Sequence, residues 1–240
     1  YISCRMKSLI FCTSYVRNHD EWEKRYQKWI DYYTSIPFGR DKEIWLIDDG
    51  SEEEYIGDFK GNRYNEGGPE INPSDPVQSP DVNLYHFKER RGIEPGDNNP
   101  LLAGSTLGWY RSFLFSYAIV KKYNYDKIIH IESDAYLITQ KVCDYIDNLE
   151  DGWNTLYCPR YFFPETSIQI ICRDQYDTLG KLFHAPLETF KMSQAEQTLP
   201  ITHVEQGFVG DRYGEFTKRQ LPKIDYYNQC HPETKLTFRN

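Results

Sequence analysis

Two carboxylates stand one residue apart at the end of the segment Lys127-Ile128-Ile129-His130-Ile131-Glu132-Ser133-Asp134. Side chains at i and i+2 of an extended chain leave the same face, so Glu132 and Asp134 can converge where the apolar run stops. Hard divalent cations bind one or two carboxylates, and water and substrate phosphates complete the coordination. The spacing therefore indicates a metal held against a diphosphate. The alternative is a polar strand end where both acids face water, because short acidic motifs recur by chance.

Two other polar clusters stand where apolar runs end. Thr13-Ser14 closes the run at residues 8–15, and Asp48-Asp49-Gly50-Ser51 follows the run at residues 43–47. Each cluster alone is better explained as a turn with a helix cap. Their position after predicted strands favours ligand binding instead, because ligands of open α/β sheets bind at the carboxyl ends of parallel strands. If the runs are parallel strands, all three clusters line one pocket.

Strands and helices alternate through the first half of the chain. Apolar runs predict buried strands at residues 8–15, 43–47, 83–87 and 127–131. This order, with helices between the strands, predicts an α/β fold with a mostly parallel central sheet flanked by helices.

Two helices are predicted between these strands. Trp22, Tyr26, Trp29, Ile30 and Tyr33 recur at helical spacing and predict a helix over residues 21–33. The second helix begins at a cap on Ser105 or Thr106 and runs to about Tyr123. Residues 57–82 are rich in Gly, Pro, Asn and acids and predict a long surface excursion.

The second half has weaker patterns. It predicts strands at residues 155–162 and 167–172, followed by a helix at residues 173–183. The triplet Tyr161-Phe162-Phe163 could form the floor of a sugar subsite, although such triplets more often belong to a core.

Composition narrows the class of protein. A chain of 240 residues with 39% apolar and 27% charged residues is long enough for one large globular domain. The formal net charge of −8 argues against a nucleic-acid partner, because a protein that binds nucleic acid needs a basic surface.

Six scattered cysteines without a C-x-x-C pair predict neither a zinc site nor a disulfide framework. A reducing, cytoplasmic location is the default expectation. No apolar stretch is long enough to span a bilayer, which leaves peripheral membrane contact open.

Two of the motifs together resemble a known family. Residues 44–51, Ile-Trp-Leu-Ile-Asp-Asp-Gly-Ser, are similar to the strand and "DDGS" signature of GT-A fold, nucleotide-sugar-dependent glycosyltransferases, best known from family 2. Residues 129–134 look like the D-x-D segment of these enzymes, with Glu132 in place of the first Asp. The resemblance covers about residues 7–140. It implies a single GT-A (Rossmann-like) domain over residues 1–240, in which about 7–140 bind the nucleotide-sugar and about 141–240 bind the acceptor.

The resemblance implies roles for individual residues. Thr13 and Ser14 would contact the nucleotide, and Asp48 or Asp49 would accept hydrogen bonds from the base or ribose. Asp134 would bind Mn²⁺ or Mg²⁺. Glu132, with Ser133 beside it, would face the ribose or the metal, and its longer side chain puts direct metal ligation in doubt.

Basic residues and histidines complete the expected donor site. Arg91 and Arg111, together with Arg90, lie nearest the polar clusters in the implied topology and could pair with a diphosphate. An ordinary solvated loop pair explains Arg90-Arg91 better, and a surface ion pair explains Arg111 nearly as well. His231 and His203 are candidate metal ligands, because some GT-A enzymes use a late histidine. A solvent-facing or core histidine is the more frequent case.

Sugar transfer with inversion of the anomeric configuration needs a base that takes the proton of the acceptor hydroxyl. Glu188, Glu196, Glu205 and Asp211 are the acids weighed in the second half. Glu205 is favoured because it stands alone in a mainly uncharged stretch closed by Gly207, and Asp211 comes next. The alternative for Glu205 is an ordinary surface glutamate.

The sequence therefore predicts a metal-dependent glycosyltransferase that moves a sugar from a nucleoside-diphosphate sugar to a hydroxyl of a glycan, lipid or glycoconjugate. A sugar-1-phosphate nucleotidyltransferase is one alternative, but residues 14–19 lack the Gly-rich loop it needs after the first strand. A non-catalytic carbohydrate-binding protein with the same fold is the other alternative.

The loop at residues 92–104 could be a lid over the donor or a passive connection.

Overall fold

The structure is a computed structural model in which residues 6–39, 41–57, 59–67, 82–91, 106–160, 162–191, 193–213 and 223–240 are described. The strands are β1 Ser8–Ser14, β2 Lys42–Asp48, β3 Asn62–Asn65, β4 Val82–His86, β5 Lys127–Ile131, β6 Tyr136–Leu137, β7 Trp153–Cys158, β8 Phe163–Cys172, β9 His203–Glu205, β10 Gly210–Arg212 and β11 Tyr226–Asn228. The helices are α1 His19–Glu21, α2 Lys28–Ser35, α3 Glu53–Ile56, α4 Leu107–Tyr123, α5 Gln140–Asn148, α6 Tyr176–Phe183 and α7 Ala195–Thr198. A π-helical segment, Trp22–Gln27, joins α1 to α2, and short 3₁₀ turns cover Arg173–Gln175 and Leu187–Phe190.

The central sheet has eight strands in the order β3-β4-β2-β1-β5-β8-β7-β9. Its neighbours are parallel except at β8, which runs antiparallel to both β5 and β7. A smaller sheet has the order β10-β11-β6. The protein thus has an α/β fold with a mostly parallel central sheet, and this prediction is confirmed.

The strand residues enter two separate cores, one on each face of the sheet. Ile10 and Cys12 of β1 pack with the helical segment after β1 and with α5. Leu9 and Phe11, between them in sequence, pack with α4 and α6 on the opposite face. Successive side chains of a strand point to opposite faces, so a strand covered on both sides reads as one continuous apolar run. This is why β1, β2 and β5 are visible in the sequence.

Element boundaries differ from the predictions in a few places. The helix predicted over residues 21–33 contains the π-helical segment, which its apolar spacing does not distinguish from regular helix. Thr106 precedes α4 as expected, but its hydroxyl donates to the Ser193 carbonyl rather than capping the helix. The strands of the second half form an antiparallel pair of β7 and β8 with a bulge between Thr155 and Leu156. No helix among the described residues is both long and apolar enough to cross a membrane.

Candidate active site

The three polar clusters meet at one edge of the central sheet. In the parallel register of β1 and β2, Ser14 lies opposite Asp48. β5 lies on the other side of β1, with Phe11 opposite His130, so Glu132 follows just beyond its end. β8 is antiparallel, so its first residues reach the same edge, and the Ser167 carbonyl accepts a hydrogen bond from the Glu132 backbone N–H at 2.9 Å. The predicted convergence of the clusters is therefore present.

Three cavities open at this edge. The first, called the small cavity, has a volume of about 190 Å³ and is lined by residues that include Thr13, Ser14, Asp49, Arg90, Trp109 and Glu132. The second, the large cavity, measures about 820 Å³, and its lining includes Glu132, Asp134, Glu165, Glu196 and Arg212. The third, the side cavity, measures about 250 Å³ and is lined in part by Ser133, Asp134, Cys230 and His231. Arg25 lines all three.

Asp48 and Asp49 have different surroundings. Asp48 is fully buried, and its carboxylate accepts hydrogen bonds from the backbone N–H groups of Gly50 and Ser51 and from the Ser14 and Ser51 hydroxyls, at 2.6 to 3.1 Å. His86 Nδ1 lies 2.9 Å from it as well. The carboxylate therefore organises the turn after β2. Asp49 lines the small cavity, so of the two predicted acids it is the one placed to meet a ligand.

Gly50 allows the turn after β2 to approach the segment after β4. Its φ of +80° lies in the left-handed region, and a Cβ at this position would lie 2.6 Å from the Arg90 backbone N and the Glu89 carbonyl carbon. Only glycine adopts this φ without strain and leaves the backbone of Glu89 and Arg90 in place. The close approach holds Arg90 against the small cavity.

Of the predicted arginines, some hold Asp49 in place and one lines the small cavity. Arg111 pairs with the Asp49 carboxylate, donates to the Glu89 carbonyl at 2.6 Å and stacks over the Phe87 ring, so it holds Asp49 and the segment after β4 in place. The Arg91 backbone N–H donates to Asp49 at 3.1 Å, while its side chain is exposed. Arg90 is the arginine of this pair that lines the small cavity, with its guanidinium 3.9 Å from the centre of the Tyr15 ring.

Glu132 connects the small and large cavities. Its Oε2 accepts the Thr13 hydroxyl at 3.3 Å, and its Oε1 accepts the Trp109 indole N–H. His130 Nε2 lies 3.3 Å from the same Oε1. Burial raises the pKa of Glu132, but the neighbouring His130, the Trp109 N–H and the charge of Arg25 outweigh it, so the pKa lies below its ordinary value. Glu132 is therefore an ionised acceptor fixed by protein donors, an arrangement that suits orientation of a ligand better than direct metal binding.

Asp134 and Ser133 both contact the guanidinium group of Arg25. Arg25 Nη2 lies 3.1 Å from Asp134 Oδ2, and Arg25 Nε donates to the Ser133 hydroxyl at 2.6 Å. Burial raises the pKa of Asp134, and the negative charge of Glu132 adds to this effect while Arg25 opposes it. The net direction is upward, because burial is the largest of these effects.

The side cavity provides a test of the metal prediction. The Asp134 carboxylate, whose side chain is 26% exposed, and the His231 imidazole line it together. His231 Nδ1 accepts the Glu233 backbone N–H at 3.2 Å, so the neutral ring carries its proton on Nε2, where ligation would need a lone pair. Across the described residues, no group of three His, Cys, Asp or Glu side chains could hold a metal. The donors fit a cation held by Asp134 together with water and substrate phosphates, and do not fit a site closed by protein ligands.

The predicted catalytic acids lie away from the three cavities. Glu205 ends β9 at the border of the central sheet, where its Oε1 accepts the Gly207 backbone N–H at 2.6 Å. Asp211 is buried in β10, and its neighbour Arg212 rather than Asp211 lines the large cavity. Neither acid is placed to receive a proton from a ligand in that cavity. Their catalytic role stays a prediction without support from the geometry.

The chain resembles glycosyltransferases of known structure. A glycosyltransferase involved in glycosylation of the major capsid of PBCV-1 matches with 13% identity and a TM-score of 0.48, over 94% of each chain. A mannosyltransferase from Pyrobaculum calidifontis, in complex with GDP-Man and Mn²⁺, matches with 13% identity and a TM-score of 0.45, over 74% of this chain and 48% of its own. The S. cerevisiae mannosyltransferase Ktr4p, in complex with GDP, matches with 11% identity and a TM-score of 0.40, over 75% of this chain and 62% of its own.

These likenesses are too distant to assign an activity to this chain. No protein-family model matches the sequence, and no curated protein matches it significantly.

Four side chains at the site were missed by the sequence analysis. Arg25 and Trp109 lie on helical segments flanking the sheet, and Glu165 and Arg212 form an ion pair at 3.1 Å in the large cavity. The sequence did contain a signal for Trp109. It stands in the first turn of a helix that leads into a parallel strand, and such a turn lies close to the carboxyl edge of the sheet.

The residues of the predicted lid, 92–104, lie outside the described part of the chain, as does Tyr161 of the aromatic triplet. Phe162 of that triplet is 80% exposed, and Phe163 lines the large cavity.

Proposed function

We propose that the protein is a GT-A type glycosyltransferase that moves a sugar from a nucleoside-diphosphate sugar to an acceptor hydroxyl. The observation that carries the proposal is the pair of adjoining cavities at the carboxyl edge of the sheet, which share Arg25, Trp109 and Glu132. A transferase needs two substrates with their reacting atoms in contact. Two cavities that meet at a carboxylate and a guanidinium satisfy this requirement.

The small cavity suits the nucleoside end of the donor. Thr13, Ser14 and Asp49 line it and are hydrogen-bonding groups that match ribose hydroxyls and base N–H groups. Tyr15 adds an aromatic face beside Arg90. Each polar group is already held by a second residue, such as Asp49 by Arg111, so the site is organised before a ligand binds.

The diphosphate would lie where the cavities meet. Arg25 lies where the cavities meet and Arg90 lines the adjoining small cavity, and guanidinium groups pair well with phosphate oxygens. A divalent cation, Mn²⁺ or Mg²⁺, would be held by Asp134 and by the phosphates, and it would neutralise charge on the departing nucleoside diphosphate. Glu132, fixed by Thr13 and Trp109, would accept a hydrogen bond from the sugar or ribose.

The large cavity suits the acceptor, and Glu196 is the acid we assign as its base. Glu196 lines this cavity on α7, and its Oε1 accepts the Thr166 hydroxyl at 3.0 Å. In a transfer with inversion, the acceptor oxygen bonds to the anomeric carbon as the bond to the diphosphate oxygen breaks. The hydroxyl proton passes to the Glu196 carboxylate, and the electron pair leaves with the nucleoside diphosphate.

Calorimetric titration with a panel of nucleoside diphosphates, with and without Mn²⁺, tests the donor half of the proposal. We expect one base to be preferred and its binding to strengthen when Mn²⁺ is present. A protein that binds none of the panel in either condition is not a nucleotide-sugar transferase.

Glu196→Gln, compared with Glu205→Gln, tests the acceptor half. We expect Glu196→Gln to lower the transfer rate by a factor of about 10² to 10⁴, the usual contribution of a general base, while nucleoside diphosphate affinity stays unchanged. Glu205→Gln should have little effect, because Glu205 lies outside the cavities. The reverse pattern of rates would return the role of base to Glu205.

A further inference from the structure

Arg25 occupies a central position among the three cavities. Its guanidinium bridges Ser133 and Asp134 and lines all three cavities. It comes from a segment more than a hundred residues away in sequence. Its Nη1 lies 3.8 Å from Glu21 Oε1, beyond hydrogen-bond distance, so the contacts to Ser133 and Asp134 are its close polar contacts at this edge.

The backbone that carries Arg25 is unusual. Trp22–Gln27 is a π-helical segment of six residues between two short α-helices. π-Helical turns are rare and occur frequently at functional sites, because they widen the helix and redirect its side chains. Trp22 and Tyr26 of this segment are buried in the core, so the wide turn is anchored while Arg25 reaches the cavities. Tyr26 also lines the small cavity.

Asp134 is already paired with a positive charge. Its side chain is 26% exposed, and its Oδ2 lies 3.1 Å from Arg25 Nη2. Arg25 provides this charge, and Asp134 lines both the large cavity and the side cavity. A divalent cation bound to Asp134 would supply the same neutralisation from the same place. Two cations on one carboxylate would repel each other, so Arg25 would oppose the binding of a divalent cation to Asp134.

We propose that Arg25 is a positioning residue that competes with a divalent cation for Asp134. The further step rests on the proposed function: when the donor diphosphate binds, it offers the guanidinium a second anionic partner and frees Asp134 for the cation. The cation and the nucleoside diphosphate then strengthen each other's binding by the same factor, since coupling between two ligands is reciprocal.

Binding of Mn²⁺ alone, measured by calorimetry or electron paramagnetic resonance, tests the competition. We expect Arg25→Met to bind Mn²⁺ about tenfold more tightly than the unaltered protein, because a charge-assisted hydrogen bond no longer has to be broken. Asp134→Asn should abolish this gain in the double variant. An unchanged or weaker Mn²⁺ affinity in Arg25→Met, in a protein with normal thermal unfolding, would overturn the proposal.

Lys24→Met is the matched control. Lys24 also lines the side cavity, but its ammonium pairs with Asp20 at 2.7 Å rather than with Asp134. Removal of this charge should leave Mn²⁺ affinity close to that of the unaltered protein. An equal gain in Lys24→Met and Arg25→Met would show a general effect of charge and would refute a specific contact.

The coupling step has its own measurement. GDP and UDP serve as probes, and the better binder is expected to raise Mn²⁺ affinity in the unaltered protein and in Arg25→Lys, but much less in Arg25→Met. If neither probe nor any other nucleoside diphosphate binds, the proposed function fails, and the titration with Mn²⁺ alone still decides whether Arg25 competes for Asp134. If a probe binds and the coupling is the same in all three proteins, the coupling step is wrong.

Discussion

Adjacent residues at this site have different roles because their side chains meet different donors. Asp48 faces four donors from its own turn and from β1, together with His86, while Asp49 faces the small cavity with Arg111 behind it. Glu132 and Asp134 are separated in the same way: protein donors fix the first, and Arg25 holds the second. Asp49, Glu132 and Asp134 line cavities and are placed to meet a ligand, whereas Asp48 lines none of the three and stabilises the turn after β2.

Asp48→Asn should lower stability, because an amide NH₂ would face donors where a carboxylate oxygen now accepts. The expected loss is about 2 kcal/mol, the usual effect of disrupting hydrogen bonds to a buried charged group. Urea unfolding followed by tryptophan fluorescence measures it. Asp49→Asn removes a ligand-facing acid instead and should weaken nucleoside diphosphate binding more than Asp48→Asn does. The opposite ranking of affinities would show that the two roles have been exchanged.

Thr13→Val should weaken nucleoside diphosphate binding by a factor of about five, the value of one ordinary hydrogen bond. Valine keeps the shape of the side chain but removes the hydroxyl that donates to Glu132 and lines the small cavity. Titration calorimetry provides the measurement. Thr166→Val removes a hydroxyl from the large cavity and serves as the control, with unchanged nucleotide affinity. Equal losses in both variants would count against separate donor and acceptor cavities.

At the scale of elements, three local irregularities shape the site. The π-helical segment directs Arg25, the left-handed turn at Gly50 brings Arg90 close, and the bulge between β7 and β8 lies near Glu165 and Ser167. β-Bulges and π-turns are common beside functional sites because they redirect side chains that a regular element would place elsewhere. All three irregularities occur at the edge of the sheet where the cavities open.

Gly50→Ala should destabilise the protein by about 1 to 3 kcal/mol, since it combines a strained φ with a close contact to the Glu89 and Arg90 backbone. It should also weaken nucleotide binding, because the segment with Arg90 has to move. Gly57→Ala is the matched control: its φ is −61° and the nearest atom to a Cβ would be at 3.5 Å. Thermal unfolding of both variants is the measurement, and similar losses would mean that the turn at Gly50 is not constrained as described.

At the scale of the whole molecule, the sheet separates two cores and leaves its charged edge open. Buried groups in these cores include the thiols of Cys12, Cys143 and Cys172, which are free. Burial raises the pKa of Cys143 to about 12 and that of Cys172 to about 11, since a thiolate is poorly solvated there. Burial likewise raises the pKa of Tyr33 and Tyr125.

Stability should therefore fall at alkaline pH. A thiol in the unfolded chain loses its proton near about pH 8.5, whereas the folded protein keeps it until about pH 11. The free energy of the unfolded state therefore falls relative to that of the folded state as pH rises between these values. Each thiol contributes about 1.4 kcal/mol per pH unit in this window, and nothing below about pH 8. Urea midpoints at pH 7.5, 9 and 10.5 measure the effect. Cys143→Ala should reduce the slope, and a midpoint constant up to pH 10.5 would contradict the assignment.

The amino-acid sequence by itself determined the type of fold and the edge at which the site lies. Leu9 and Phe11 alternate with Ile10 and Cys12 as apolar residues, which identifies a strand buried on both faces. The polar clusters after such strands must then meet at one edge, because parallel strands end on the same side. These inferences depend on local periodicity and strand order, both of which are contained in short stretches of sequence.

Only the tertiary structure decided which polar residues face the cavities. Arg25 meets Asp134 across 109 residues, and Arg212 meets Glu165 across 47, because separate elements pack side by side. The same packing buried both Asp48 and Asp49 but left Asp49 in the lining of the small cavity. It also placed Glu196 rather than Glu205 beside the large cavity. Such contacts depend on the relative positions of several elements at once, and no periodicity within one segment records them.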